Sequence, residues 1–446
     1  MLYDPVLLPE DRRRASGRGR APPQTPLVTP REHARAIWQA ALAAGDVAPL
    51  VRTHLDVDPR YARVVVLGCG KASGAMAHAA EDVLGDRIAE GFVVVKDGYT
   101  APLRRIRLAE AGHPVPDARG LAASGRLLDL AASARVDDLV LFLVSGGGSA
   151  LTPAPAPPVT LEEKQQITRL LLAAGATITE LNAVRKHLSR VKGGLLARAA
   201  WPATVVTLVL SDVVGDPLDV IASGPTAPDP TTFATALEVL ERRGVKDRAA
   251  ASVRARLEAG ARGEVAETPK PGDRVFDRVT NLVVGNNALI TDAAVTAAQR
   301  LGYRTHLWSR AIQGEAREVG RELVDQARRL EPPACLVAGG ETTVTVRGSG
   351  TGGRCQELAL AAALALRPGD EVTVLAAGTD GTDGPTDAAG AIVDSGSVDR
   401  GRAAAVDPVG ALADNDAYRF LRASGDLLVS GPTNTNLLDL YVLLRA

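Results

Sequence analysis

Cysteine is nearly absent from this chain. Its 446 residues include three, Cys69, Cys335 and Cys355, and no C-x-x-C pair. That excludes a disulfide framework and a cysteine-based zinc site, and it suits a reducing compartment. Aromatic residues make up 3%, too few for a surface on which nucleic-acid bases stack. Neither sign of charge prevails: 51 Lys and Arg stand against 52 Asp and Glu, a net charge of -1. No bulk field therefore draws nucleic acid or an anionic membrane. No run of about 18 apolar residues occurs that could span a bilayer. The first residues lack the basic-then-apolar pattern of a secretion signal. The expectation is a cytoplasmic protein with neither nucleic acid nor membrane as partner. G-x-S-x-G, H-E-x-x-H and the Walker A pattern are also missing, which removes three common catalytic signatures.

What the chain does have is apolar residues, 46%, and 44 glycines clustered at the ends of short apolar runs. At about 150 residues per domain the length predicts two or three domains. Residues 1–30 are rich in Arg, Pro and Gly and read as a basic arm outside the fold. Short apolar runs at 63–67, 91–95, 139–144 and 205–210 read as buried strands. Helical stretches at 72–84, 118–133, 160–175 and 180–199 separate them. The polar stretch 255–275 reads as a linker between a domain at 31–270 and one at 280–446. A second series follows: strands at 282–284, 303–308, 334–338, 343–347, 371–377 and 438–444, with helices near 287–301 and 314–330. The fold class is α/β, two domains, each a mostly parallel or mixed sheet flanked by helices.

Ligands of open parallel sheets bind at the carboxyl ends of strands, and each glycine-rich loop here follows a strand. The first, Gly68-Cys69-Gly70-Lys71-Ala72-Ser73-Gly74, can receive an anion at a helix start with Lys71 at its mouth, or can merely pack strand on helix. Asp97, after the next strand, leaves a Rossmann reading open. The second, Ser145-Gly146-Gly147-Gly148-Ser149, can form a nest of N–H groups for phosphate. The third offers Asp212 and Asp216, suited to a metal or a substrate hydroxyl, or to turn and cap chemistry. In the second half, Arg354 opens a helix after a glycine run and suits phosphate or carboxylate. Gly378-Thr379-Asp380-Gly381-Thr382-Asp383 does not match an EF-hand and fits a sparsely ligated magnesium better, or an acidic turn. His113, in the turn Gly112-His113-Pro114, can be a site residue but reads first as a structural histidine. Lys186 and Lys192 read as solvated.

In order along the chain, these runs resemble the glycerate 2-kinase family, the type 2 or class II glycerate kinases, whose C-terminal region is the MOFRL domain. The matching runs include Gly-Cys-Gly-Lys-Ala (68–72), Ala-Gly-His-Pro-Val-Pro-Asp (111–117), Ser-Gly-Gly-Gly-Ser-Ala (145–150) and Leu-Asn-Ala-Val-Arg-Lys-His-Leu-Ser (181–189). Further on come Ser-Asp-Val-Val-Gly-Asp-Pro (211–217), Gly-Gly-Glu-Thr-Thr-Val (339–344), Gly-Gly-Arg-Cys-Gln-Glu (352–357), Gly-Thr-Asp-Gly-Thr-Asp (378–383) and Gly-Pro-Thr-Asn-Thr-Asn (431–436). The resemblance covers residues 31–446. It implies an active site in the cleft between two domains and phosphoryl transfer from ATP to glycerate, usually giving 2-phosphoglycerate, with Mg2+. It ties Lys71 and Arg354 to catalysis, and Asp212 joins them as the acid facing a substrate hydroxyl. Gly68, Gly70, Ser145, Gly146, Gly147, Gly148, Ser149, Gly378, Thr379 and Asp380 are the candidates for the nucleotide. Asp212, Asp216, Asp380 and Asp383 are those for the metal. A homodimer stays open. Cys355 stands where the family usually has Asn, and Asn434 where it has Gly. The competing readings are an NAD(P)H-dependent hydroxypyruvate reductase, using Gly68–Gly74 for pyrophosphate, and a non-catalytic sensor of sugar acids or nucleotides.

Overall fold

The computed structural model describes residues 29–446. The arm read in residues 1–30 lies outside it up to residue 28. Six strands form a first sheet: β1 Arg63–Cys69, β2 Ile88–Lys96, β3 Arg107–Ala111, β4 Asp138–Val144, β5 Thr204–Leu210 and β6 Val279–Gly285. Six more form a second: β7 Arg304–Ile312, β8 Ala334–Gly340, β9 Val372–Gly378, β10 Gly390–Val393, β11 Leu427–Leu428 and β12 Asp439–Arg445.

The first sheet is parallel throughout, in the order β3-β2-β1-β4-β5-β6. Strand order reverses between β1 and β4, the point where doubly wound sheets hold ligands. The first two glycine loops leave these two strands side by side. The second sheet runs β11-β10-β9-β12-β8-β7 and is mixed: β7 and β8 are parallel and the other pairs antiparallel.

Apolar periodicity explains the layers. Ala34, Ile37, Trp38 and Ala41 recur at helical spacing on Pro30–Ala44. They share one buried cluster with Val64 and Leu141 of the first sheet, Ile290 and Ala294 of helix Asn287–Arg300, and Val337 and Val442 of the second sheet. These helices therefore fill the layer between the sheets. Capping boxes fix helix starts at Thr29/Glu32, Thr160/Glu163 and Thr177/Glu180, each cap contributing about 1 kcal/mol.

Four local expectations are corrected. The strand at 282–284 lies in β6, the last strand of the first sheet rather than the opening of the second series. The stretch 255–275 begins inside helix Ala251–Ala261. The helix over 180–199 breaks into Ile178–His187 and Leu195–Ala200, because Gly193 and Gly194 turn the chain at φ +61° and +78°. The strand at 343–347 is absent. Thr343 makes a single bridge to Glu315, and the segment instead walls the cleft. Among the described residues no helix is long and apolar enough to cross a membrane.

Candidate active site in the interdomain cleft

The two glycine loops at the switch point look alike in sequence and differ in structure. In the first, every backbone N–H from Gly70 to Ser73 is donated within the protein, to Val94 O, Gly146 O, Ser145 Oγ and Gly70 O. A Cβ on Gly70 would lie 2.2 Å from Ser145 Oγ, and one on Gly68 2.7 Å from Leu143 O. Gly68 and Gly70 thus allow close packing, and Ser145 clasps the two loops. What this loop delivers to the cleft is the Lys71 side chain. In the second loop the N–H groups of Gly146, Gly147 and Ser149 have no partner among the described residues. Gly147 has φ +86° and faces His113, and a Cβ on Gly146 would strike Asp212 at 2.0 Å.

Behind the second loop stand cations that the sequence reading missed or misjudged. Lys186 and Lys192 are buried, not solvated. Asp219 and Asp229, 3.1 and 3.2 Å from its Nζ, neutralise Lys186. Lys192 reaches Ser149 O at 2.7 Å and Ser149 Oγ at 2.9 Å, and Arg185 reaches the same Oγ at 2.5 Å. Burial holds the Arg185 pKa down, to about 10. The available signal was the helix Ile178–His187 itself: Leu181, Val184 and Leu188 mark its core stripe, and Arg185 is the neighbour of that stripe.

The C-terminal half contributes charges already paired with one another. Arg354, first residue of helix Arg354–Ala365, grips Asp439 with two hydrogen bonds of 2.7 and 2.9 Å and meets Glu341 at 2.9 Å. Burial opposes its charge, but the Asp439 and Glu341 carboxylates keep it protonated. Tyr441 Oη also donates to Asp439. Glu341, Asp439 and Tyr441 were not singled out from sequence.

Asp380 pairs with Lys71 at 3.1 Å across the cleft, and Asn436 donates to Asp212 at 3.1 Å. Gly378 and Thr379 secure this loop from inside: Thr379 is buried and exchanges hydrogen bonds with Leu437 and Leu438. Asp383 accepts the N–H groups of Cys355 and Gln356. Burial, with Asp439 adding, still pushes its pKa up to about 7. Asp216 turns aside to accept from Asn286.

Two cavities meet here. A cleft of about 1390 Å³ is lined from the first half by Gly147, Ser149, Arg185 and Asp212, and from the second by Glu341, Val344 and Arg354. A polar chamber of about 340 Å³ is lined by Lys71, Lys96, His113, Asp380 and Asn436. Gly147, Asp212, Glu341, Arg354 and Asp383 border both. Burial raises the Asp212 pKa against the pull of Lys71, and burial likewise raises that of Glu341. Burial, then Lys71 and Lys96, lowers the His113 pKa to about 4, so this histidine is neutral at pH 7. It faces the chamber beside Gly147, which favours the site reading of this turn histidine over the purely structural one.

Of the four metal candidates, Asp212, Asp380 and Asp383 line the polar chamber, whereas Asp216 is turned to Asn286. Among the described residues no group of three or more His, Cys, Asp or Glu is placed to hold a metal ion. Asp97, the acid a Rossmann reading would put on a ribose, is taken by Arg119 through two hydrogen bonds of 2.6 and 2.8 Å. Cys355 is buried in the core beside Asp439 and lines neither cavity. Asn434 has φ +59°, the left-handed region that Gly favours and Asn tolerates.

Residues 33–258 match a domain of unknown function, DUF4147, and residues 334–439 match the MOFRL family. The chain is 46% identical to the D-glycerate 2-kinase of Thermotoga maritima over 85% of its own length and 90% of that protein. It is 42% identical to a protein of Agrobacterium vitis that is provisionally named a hydroxypyruvate reductase, over 94% and 95%. The crystal structure of a glycerate kinase from Thermotoga maritima superposes with a TM-score of 0.84 at 43% identity, covering 93% of this chain and 99% of that one. With both domains matched in order and a glycerate 2-kinase this similar over nearly its full length, the chain belongs to the glycerate 2-kinase family with a MOFRL domain.

Proposed function

We propose that this protein transfers the terminal phosphoryl group of ATP to glycerate, at the 2-hydroxyl. One observation carries the reading: a cation from each half, Lys71 and Arg354, lies with Asp212 where a large cleft meets a small polar chamber. A three-carbon acid fits the chamber; only the cleft has room for a nucleotide. Phosphoryl transfer asks a protein for positioning and charge balance more than for covalent chemistry. In the transition state, charge spreads over the transferring oxygens and must meet donors already in place. The free N–H groups of Gly146 and Gly147 form the nest, with Lys71 and Arg354 on either side. Asp212 accepts the proton of the attacking hydroxyl. Burial raises its pKa, which brings a carboxylate nearer the basicity that task needs.

Magnesium would arrive with the nucleotide, since it commonly takes only one or two carboxylates besides phosphate oxygens and water. Glu341, which borders both cavities beside Asp212, would hold it and leave Asp212 for the proton. It would neutralise charge on the transferring phosphates.

The reductase reading has less support: the first loop has no free N–H from Gly70 to Ser73, and Asp97 is engaged. A coupled assay separates the two. The kinase reading expects glycerate-dependent ADP release and no NAD(P)H oxidation with hydroxypyruvate. Hydroxypyruvate-dependent oxidation without ADP release would replace it.

A further inference from the structure

Among the described residues several buried charges are paired, and one cluster of cations is not. Lys186 has two aspartates, and Arg354 has Asp439 and Glu341. Lys164, Arg185 and Lys192 have no carboxylate partner among the described residues. Lys164 donates only to the carbonyls of Pro153 and Leu188, and Lys192 only to Ser149. Burying Lys164 and Lys192, with Arg185 half-buried beside them, carries a desolvation cost that no carboxylate among the described residues offsets. The three lie close enough that Arg185 and Lys164 depress the Lys192 pKa beyond what burial does.

The cluster opens onto the cleft through Arg185 and Ser149. Ser223 Oγ joins Ser149 Oγ at 2.9 Å, and Asn182 holds Ser223 at 3.0 Å. Ala222 and Ser223 both have left-handed backbones, φ +50° and +63°. Two such non-glycine residues in succession are strained, and strain of this kind gathers where a ligand is held. Apolar side chains flank the same stretch: Ile178, Val213 and Val220 on one side, Val344 and Val346 across from them. Ile178 and Val346 are 55% and 73% exposed, so both are open to a ligand.

We infer that Arg185, Ser149 and the Lys192 behind them form an oxyanion subsite for the non-transferred phosphates of the nucleotide, apart from the Lys71–Arg354 rim, with the base directed along helix Ile178–His187. The assignment deepens the proposed function and rests on the cleft serving a nucleotide. The geometry favours a polyphosphate over the substrate carboxylate, because the subsite opens on the large cleft and not on the chamber. An anion seated there supplies the missing counter-charge.

The test is Arg185→Met, with Arg185→Lys beside it, read by calorimetric titration of ADP, by the KM values for ATP and glycerate, and by thermal midpoint. Losing a charged hydrogen-bond partner should weaken ADP binding by about ten- to a hundredfold. Arg185→Lys should fall between, and the glycerate KM should stay within about twofold. The midpoint of the free protein should hold or rise, since an uncompensated charge has been removed. A structural role for Arg185 would instead lower the midpoint and leave ADP affinity alone, which overturns the inference. So does a raised glycerate KM with unchanged ADP affinity, or a wild-type protein that binds no ADP. Wild type that binds ADP through Arg185 but turns over no glycerate would retire the kinase reading and leave the subsite standing.

Discussion

The two walls of the cleft are built on opposite electrostatic plans. Among the described residues the N-terminal wall presents donors that no carboxylate takes: the N–H groups of Gly146, Gly147 and Ser149, and the cations Arg185 and Lys192, whose partners are oxygens of Ser149. The C-terminal wall uses most of its charges internally, with Arg354 gripped by Asp439 and Asp383 on the start of helix Arg354–Ala365, while Asp380 reaches across the cleft to Lys71. A wall of donors without carboxylates is suited to receive an anion. A wall of internal pairs holds its groups in fixed orientation before substrate arrives. Fixed orientation is what transition-state stabilisation requires, because donors already in place need not reorganise as charge develops.

The comparison can be broken at its strongest point first. Arg354→Ala and Lys71→Ala should each lower kcat by about a hundred- to a thousandfold. Only Arg354→Ala should also lower the thermal midpoint markedly, since it strands buried Asp439. Arg354→Lys should remain poor, an ammonium being unable to make the two-pronged contact. Equal losses of midpoint in the two alanine variants would contradict the asymmetry.

Next is Gly147→Val, at φ +86° with His113 3.0 Å from the added Cβ. A β-branched residue cannot hold that conformation, so the nest should distort and the ATP KM rise by about tenfold, or about 1.4 kcal/mol. An unchanged KM in the folded variant would remove the nest.

Smaller effects should appear in the pH dependence of stability, with opposite signs from the two walls. His113 falls from an ordinary 6.5 to about 4. Between those values the unfolded chain binds more protons, so its contribution to stability rises with pH through that window. Asp383 rises from 3.8 to about 7. There the folded chain binds more protons, so its contribution falls as pH climbs from about 4 to about 7 and then levels off. In urea titrations across this range, His113→Gln should remove the rising component and Asp383→Asn the falling one. Slopes that match the parent in both variants would count against the burial of these groups. The smallest effect expected is Asn434→Gly, which relieves a left-handed asparagine and should stabilise by less than about 1 kcal/mol. A loss of midpoint would mean the Asn side chain contributes more than its backbone costs.

Much of this was legible before any coordinates. Apolar runs ending in glycine gave the strands, and their alternation with helical periods gave the α/β class. Loops following strands pointed to Lys71, Asp212 and Arg354, which the structure brings to one rim. Other features depend on contacts distant in sequence. Nothing in Gly68–Gly74 says that Ser145 and Gly146 take its N–H groups. Lys186 looked solvated because its aspartates lie 33 and 43 positions away. The alternation Thr343-Val344-Thr345-Val346 reads as a strand, but only one bridge forms there, and β propensity without a partner strand makes no sheet. Arg185 was hidden by the same logic: a missing counter-ion becomes visible only when every neighbour is known.

The most direct test of the account is product identification by phosphorus and carbon NMR after incubation with glycerate, ATP and magnesium. The account predicts a phosphomonoester on C2 of glycerate, formed in equal amount with ADP by the parent and lost in Lys71→Ala and Arg354→Ala. ADP formed without a phosphorylated glycerate, or product formed at the parental rate by either variant, would contradict it.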